Sequence, residues 1–261
     1  EKWAAAGRDG REQVGALYQL AMLAARDEDY GLADAALTRG LELMPDSPVL
    51  WRAHVAVTEG ASNIVAEAYK HCPNDPEIWL ANLVVTTKAL PKPTPPNAEP
   101  GTRNAELGTR NAQPGTPNAQ PGTPNPQPGT PNPSTLLVSE AIASGMFAPG
   151  TLVRAGDYLL SERHVELAAQ LARAAIPKAR GLLAAYVLGL RTALLQGDAI
   201  WAQACAISGV ENARNPTPFY KTLVDIKAAR RQVDSDLLSA LEYLQDRETA
   251  EPRWAETLGR V

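Results

Sequence analysis

In the second half of this 261-residue chain, similar residues return every 34 positions. Leu152, Tyr186 and Tyr220 are large residues one step apart. In the same register Gly156 matches Leu190, Leu159 matches Ala193, Ala168 matches Ala202, Ala172 matches Ala206, and Ala175 matches Gly209. A constant step of that length points to stacked structural units rather than one closed core. Within a step, apolar residues follow helical spacing and are interrupted by short polar turns, so each unit reads as two amphipathic helices. Small side chains let two helix backbones approach closely, and large ones at fixed offsets fill the gaps between hairpins.

The first block carries the same pattern. Leu17, Leu20, Ala21 and Ala24 fall on a first helix; Tyr30, Ala33, Leu37, Gly40 and Pro45 fall on the turn and second helix. The stretch from Asp29-Tyr30-Gly31-Leu32-Ala33 through Leu41-Glu42-Leu43-Met44-Pro45 is the best single match. This arrangement resembles the tetratricopeptide repeat family. The resemblance implies an all-α fold, a right-handed superhelix of α-hairpins, with a groove lined chiefly by the first helix of each pair.

Two further unit starts follow. Pro45-Asp46-Ser47-Pro48-Val49-Leu50-Trp51 returns 28 residues later as Pro73-Asn74-Asp75-Pro76-Glu77-Ile78-Trp79. Proline suits a first helical turn, and the Asp or Ser before it can cap. Trp51 and Trp79 then take the large early position. The short step predicts a shortened second helix over about 62–71. In all, units are expected at 14–47, 48–75, 76–148, 149–182, 183–216 and from 217 onward. The last has helices over 219–231 and 234–247, with Leu237, Leu238, Leu241 and Leu244 inward. Its outer charges, among them Arg230, Arg231, Asp234 and Asp236, would form a solvated end cap.

Residues 91–133 break the pattern. They hold 13 of the 22 prolines and no aromatic residue. Five tandem heptapeptides run from Asn97 to Pro131, from NAEPGTR to NPQPGTP. Proline and glycine in nearly every unit forbid a coiled coil. The segment has little to bury against its ordering entropy, so it is expected to be disordered or loosely polyproline-II. The chain thus divides into 1–90, an insertion at 91–133, and 134–261. The register places helix 76–90 before the insertion and helix 134–147 after it, in one hairpin. Enlarging a connecting loop from ~5 to ~43 residues costs only about 2 kcal/mol, so one continuous solenoid is expected across the insertion.

Apolar residues are 44% of the chain, enough for a sizeable core, while aromatics are only 5%. The sequence contains no run of ~18 apolar residues, so no membrane-spanning helix is expected. The net charge is −4, which argues against nucleic acid as a partner. The chain opens on Glu1 rather than Met, as expected of a fragment or processed chain, with which an upstream leader or anchor is compatible. Two cysteines, Cys72 and Cys205, are too few for a disulfide framework or a four-cysteine metal site.

No catalytic constellation stands out. His54, His71 and His164 lack metal-ligand spacing. His71 and Cys72, adjacent on a helix, point about 100° apart. Asp27-Glu28-Asp29 reads as a solvated turn, and Gly7-Arg8-Asp9-Gly10 as a turn rather than a phosphate cradle. Lys227, Arg230 and Arg231, with Lys221 nearby, form the one basic cluster, read as a solvated face because Asp225 and Asp234 dilute its field. No cofactor and no metal is expected.

What remains is a surface. Carrying the family's groove over by register selects Tyr18, Met22, Arg26, Arg52, Glu59, Asp157, Arg191, Lys221 and Asp225. Val153, Val187 and Leu194 add apolar character. The family's chaperone-binding members hold a carboxylate with Lys, Asn and Arg, whereas Tyr18 and Met22 occupy the first-unit positions here, which argues against a chaperone-tail receptor. The expected function is a non-enzymatic scaffold for a protein or peptide partner. The rival reading is an accessory segment of a larger enzyme or membrane-associated assembly, such as a glycosyltransferase or secretion machinery.

Overall fold

The computed structural model describes residues 10–89, 132–179, 181–248 and 252–258, and among these every regular element is a helix. In chain order they are α1 (Gly10–Arg26), α2 (Tyr30–Leu43), α3 (Pro48–Val57), α4 (Ser62–His71), α5 (Pro76–Lys88) and α6 (Pro133–Ser144). Then come α7 (Pro149–Ser161), α8 (Val165–Ala175), a short 3-10 turn (Ile176–Lys178), α9 (Leu183–Gln196), α10 (Ala199–Asn212), α11 (Thr217–Ala229), α12 (Ser235–Arg247) and α13 (Pro252–Leu258). Consecutive helices pack as hairpins, and α3, α5, α7 and α9 also touch in succession. The result is an all-α hairpin solenoid. The shortened second helix of the second unit, α4, is present as the 28-residue step requires.

Local chemistry sets the helix starts. Asp29, Asp75, Asn132, Asp198 and Asp234 each accept a backbone N–H of the first turn with the side chain. Pro48, Pro76, Pro133 and Pro149 occupy first turns, where no intrahelical N–H is lost.

One turn geometry joins the two helices of five hairpins. A residue with positive φ follows the first helix: Glu28 (62°), Glu59 (52°), Arg163 (68°), Gly197 (71°) and Arg231 (53°). Behind each, an N–H reaches back five residues: Asp29 to Ala24, Gly60 to Val55, His164 to Leu159, Asp198 to Ala193, and Gln232 to Lys227. These bonds satisfy carbonyls that the helix end would otherwise leave open. Arg163, Gly197 and Arg231 stand 34 residues apart, so the sequence step is also the step of the turn.

The seam between hairpins is built on small residues. Ala168, Ala172, Ala175, Ala202 and Ala206 are fully buried. A Cβ on Gly209 would lie 2.2 Å from the Phe219 ring, and one on Gly156 would lie 2.3 Å from Leu188 Cδ2. Trp51 and Trp79 are buried as expected. Trp51 donates to the Pro45 carbonyl at 2.6 Å and stacks with both the His54 and the His71 rings. Trp79 stacks on Phe147, just beyond α6.

The helices before and after the proline-rich stretch pack on each other. Thr87 near the end of α5 and Ser134 in the first turn of α6 are both buried, with hydroxyls 3.3 Å apart. The expected disorder and repeat conformation of residues 91–131 lie outside the described residues.

The far end differs from the expectation. The helix over 235–247 is not the outermost element, because α13 packs on it and buries Trp254. An exposed α12 would leave Leu241 and Leu244 without cover on one side, and Trp254 helps to supply it. Leu238, expected inward, is instead exposed.

Candidate partner-binding groove

Alternate helices α1, α3 and α5 form one side of the first three hairpins, and two adjoining hollows lie between them. The first, about 470 Å³, is lined by Tyr18, Met22 and Ala25 of α1, Tyr30 at the start of α2, and Val49, Ala53 and Val57 of α3. The second, about 800 Å³, lies between α3 and α5 and is floored by Val55, Val65, Ile78, Leu80, Ala81, Val84 and Val85. Arg52 and Ala56 border both hollows, so the two adjoin across α3 and are described together as the groove. Cavities of this size with mostly apolar linings and few polar groups are typical of binding sites.

The apolar lining follows from the composition of α5. Its sequence, PEIWLANLVVTTK, is apolar all round. Such a helix is either buried or covers something. Ile78, Trp79 and Leu83 are buried in the stack, while Leu80, Ala81, Val84 and Val85 are only half-buried and face the groove.

Charges sit at the groove's edges. Glu77 is held by Arg154 of α7, with the closer contact at 2.6 Å, and this pairing raises the Arg154 pKa. An exposed pair of this kind adds about 0.5 kcal/mol. Tyr158 of α7 donates to the Val84 carbonyl at 3.3 Å, and burial pushes its hydroxyl pKa up. These two contacts fix one wall of the groove from the far side of the insertion. Arg52 Nε donates to the Pro48 carbonyl at 3.3 Å and lies 3.7 Å from Asp75 Oδ2. Among the described residues, its Nη1 and Nη2 make no hydrogen bond.

Of the nine residues selected by register, Tyr18, Met22, Arg52 and Glu59 line this groove. Glu59 does so from the turn after α3, not from the helix. Arg26 lies at the end of α1, beside Asp27 at 3.7 Å and outside both hollows. The other four line neither hollow and are engaged elsewhere. Asp157 pairs with Arg191 at 3.2 Å, Lys221 with Glu248 at 2.8 Å, and Asp225 with Arg253. Val187 and Leu194 are exposed, but Val153 is buried in the core. Its ring of neighbours in the α5–α8 core overrides its register.

Tyr30, Val49, Val55, Ala56, Val84 and Val85 were not among the residues selected from sequence. The all-round apolar character of α5 was the signal for the last two. It reads as core when the neighbouring helices are unknown.

The basic cluster dissolves. Lys227 is fully buried, with Nζ 2.5 Å from Asp234 and 3.1 Å from Asp236. Burial alone would lower its pKa, but the hydrogen bonds and charges of the two carboxylates raise it. A long side chain on the inward face is forced under α12, and the aspartates at the helix start meet it.

Cys72 and Cys205 are free and buried. Burial pushes the Cys205 pKa up to about 11, so this thiol is protonated at neutral pH. Among the described residues, no group of three or more His, Cys, Asp or Glu could hold a metal, and no helix is long and apolar enough to cross a membrane.

No protein-family model and no curated protein sequence matches this chain. Among solved structures, it is similar to the crystal structure of PilW, a widely conserved type IV pilus biogenesis factor, at 15% identity and a TM-score of 0.43, covering 94% of this chain and 98% of that one. It is also similar to PilF of Pseudomonas aeruginosa at 11% identity and a TM-score of 0.45, covering 97% of this chain and 100% of that one.

Proposed function

We propose that this protein is a non-catalytic interaction scaffold of tetratricopeptide-like hairpins that holds a segment of a partner protein in the groove between α1, α3 and α5. The observation that carries this reading is the groove itself. Two adjoining hollows of about 470 and 800 Å³ lie on one side of the stack, with apolar side chains half-exposed along them. Keeping Met22, Tyr30 and Val49 in water forgoes roughly 25 cal/mol for each Å² of apolar surface that could be covered. A partner's apolar residues would recover that energy on binding.

Tyr18, Met22, Arg52 and Glu59 are the contact residues in this reading. Asp157, Arg191, Lys221, Asp225 and Arg26 act instead by holding neighbouring elements in place or stand outside the groove. The two blocks flanking 91–133 serve as one solenoid, since Arg154 and Tyr158 of the second block brace a groove wall belonging to the first.

Substituting Ala56 tests this directly. Ala56 is exposed and borders both hollows, so Ala56→Glu places a charge in the groove without touching the core. A randomised peptide library selected on the full chain should enrich binders that Ala56→Glu no longer retains. Enriched peptides that bind both forms equally would place the interaction elsewhere.

A further inference from the structure

We propose that the groove takes an amphipathic helix of the partner, and that this helix carries one carboxylate within its apolar stripe, received by Arg52. The inference rests on the binding role given to the groove above and specifies what fills it.

Shape argues for a helix. Along α5 the lining residues include Glu77, Ala81, Val84 and Lys88, with Ile78, Leu80 and Val85 between them; along α3 they are Arg52, Val55 and Ala56. Both rows advance by three or four residues, so two helical ridges stand side by side with a trough between them. Small residues, Ala56 and Ala81, sit where a third helix would press closest. The trough follows α5 from Glu77 to Lys88, about 17 Å at 1.5 Å per residue. That is roughly three turns of a partner helix. A segment of that length offers apolar anchors at i, i+3, i+4 and i+7.

Charge argues for the carboxylate. The groove's four ionic side chains are not equivalent. Glu77 is neutralised by Arg154 at 2.6 Å. Glu59 and Lys88 line the second hollow and not the first. Of these four, only Arg52 borders both hollows, and its two terminal nitrogens make no hydrogen bond among the described residues. Asp75 faces this guanidinium through Oδ2, with a closest approach of 3.7 Å that is too long for a hydrogen bond, while its Oδ1 caps α5 through the N–H groups of Glu77 and Ile78. A helix laid over the trough would strip water from that guanidinium. A carboxylate meets its planar fork through two parallel N–H···O bonds, which a neutral amide cannot reproduce.

The test uses 16-residue randomised peptides displayed on phage, selected against the full chain, Ala56→Glu and Arg52→Gln. Circular dichroism melts first establish that both variants keep the helical fold. The expected result is a wild-type consensus with Asp or Glu between apolar residues at helical spacing. A soluble consensus peptide should then bind about tenfold more tightly than its Glu→Gln version on the wild-type chain and equally well on Arg52→Gln, a coupling of the size seen for bonded charge pairs. Binders lost on Ala56→Glu but without an acidic position, or with no coupling to Arg52, would overturn this inference and leave the scaffold reading standing. Binders indifferent to Ala56→Glu would remove both.

Discussion

Thr87 and Ser134 are 47 residues apart in the chain, yet their buried hydroxyls lie 3.3 Å from each other. The end of α5 and the start of α6 therefore meet at nearly one point of the stack. Trp79 against Phe147, with ring centroids 4.7 Å apart, repeats the same closure at the other end of that hairpin.

A nick within residues 92–131 should consequently leave the two halves associated. Calorimetry of the nicked protein is expected to show one transition. Replacing the segment with a five-residue Gly-Ser turn should raise stability by up to about 2 kcal/mol, the loop-closure difference. Two separate melting transitions would mean that the blocks fold independently.

Gly209 offers a sharper test of the seam. The methyl group of Gly209→Ala would fall 2.2 Å from the Phe219 ring, which is held on α11 and cannot swing away cheaply. Urea denaturation should show a loss of about 3 kcal/mol, the upper end of the overpacking range. Gly156→Ala meets only the tip of Leu188 and should cost less. Phe219→Leu combined with Gly209→Ala should recover part of the loss.

The repeated turn makes an opposing pair of predictions. A Cβ at Gly197 would meet nothing within 4 Å, so Gly197→Ala is penalised only by its backbone, at φ 71°. The expected cost is about 1 kcal/mol. Arg163 holds the equivalent position at φ 68° with a side chain already in place. Arg163→Gly should be neutral to slightly stabilising, read as an unchanged or higher denaturation midpoint.

Lys227 and Asp234 give the fold a pH dependence with a definite sign. The side-chain hydrogen bond from Lys227, then the backbone N–H of Leu237, holds the Asp234 carboxyl below its ordinary value of 3.8. A depressed folded-state pKa contributes stability that is present above the unfolded value and lost as pH falls through the folded one. Lys227→Met removes the partner while keeping much of the buried chain. Its stability deficit relative to the wild type should be largest near neutral pH and narrow below about pH 4 as Asp234 takes up its proton. A deficit independent of pH between 3 and 7 would refute the coupling.

Much of the architecture was legible because it depends on local rules repeated along the chain. Ala168, Ala202 and Gly209 mark the crossings by their size alone. Pro48, Pro76 and the capping aspartates mark helix starts through backbone chemistry that needs no distant partner. The 28-residue step foretold the short α4 because removing six residues leaves room for little else. Long-range placement obeys no such rule. That Lys227 is buried beneath two aspartates, that Trp254 closes the final hairpin, and that Val153 turns inward depend on elements brought together only by stacking. The groove divides along the same line. Tyr18, Met22 and Arg52 follow from register, since a helical face repeats with the unit. The choice of α1, α3 and α5 as the open stretch, while Asp157–Arg191 and Asp225–Arg253 tie up charges farther along, was decided by tertiary contacts, because a side chain's availability depends on which neighbour reaches it first.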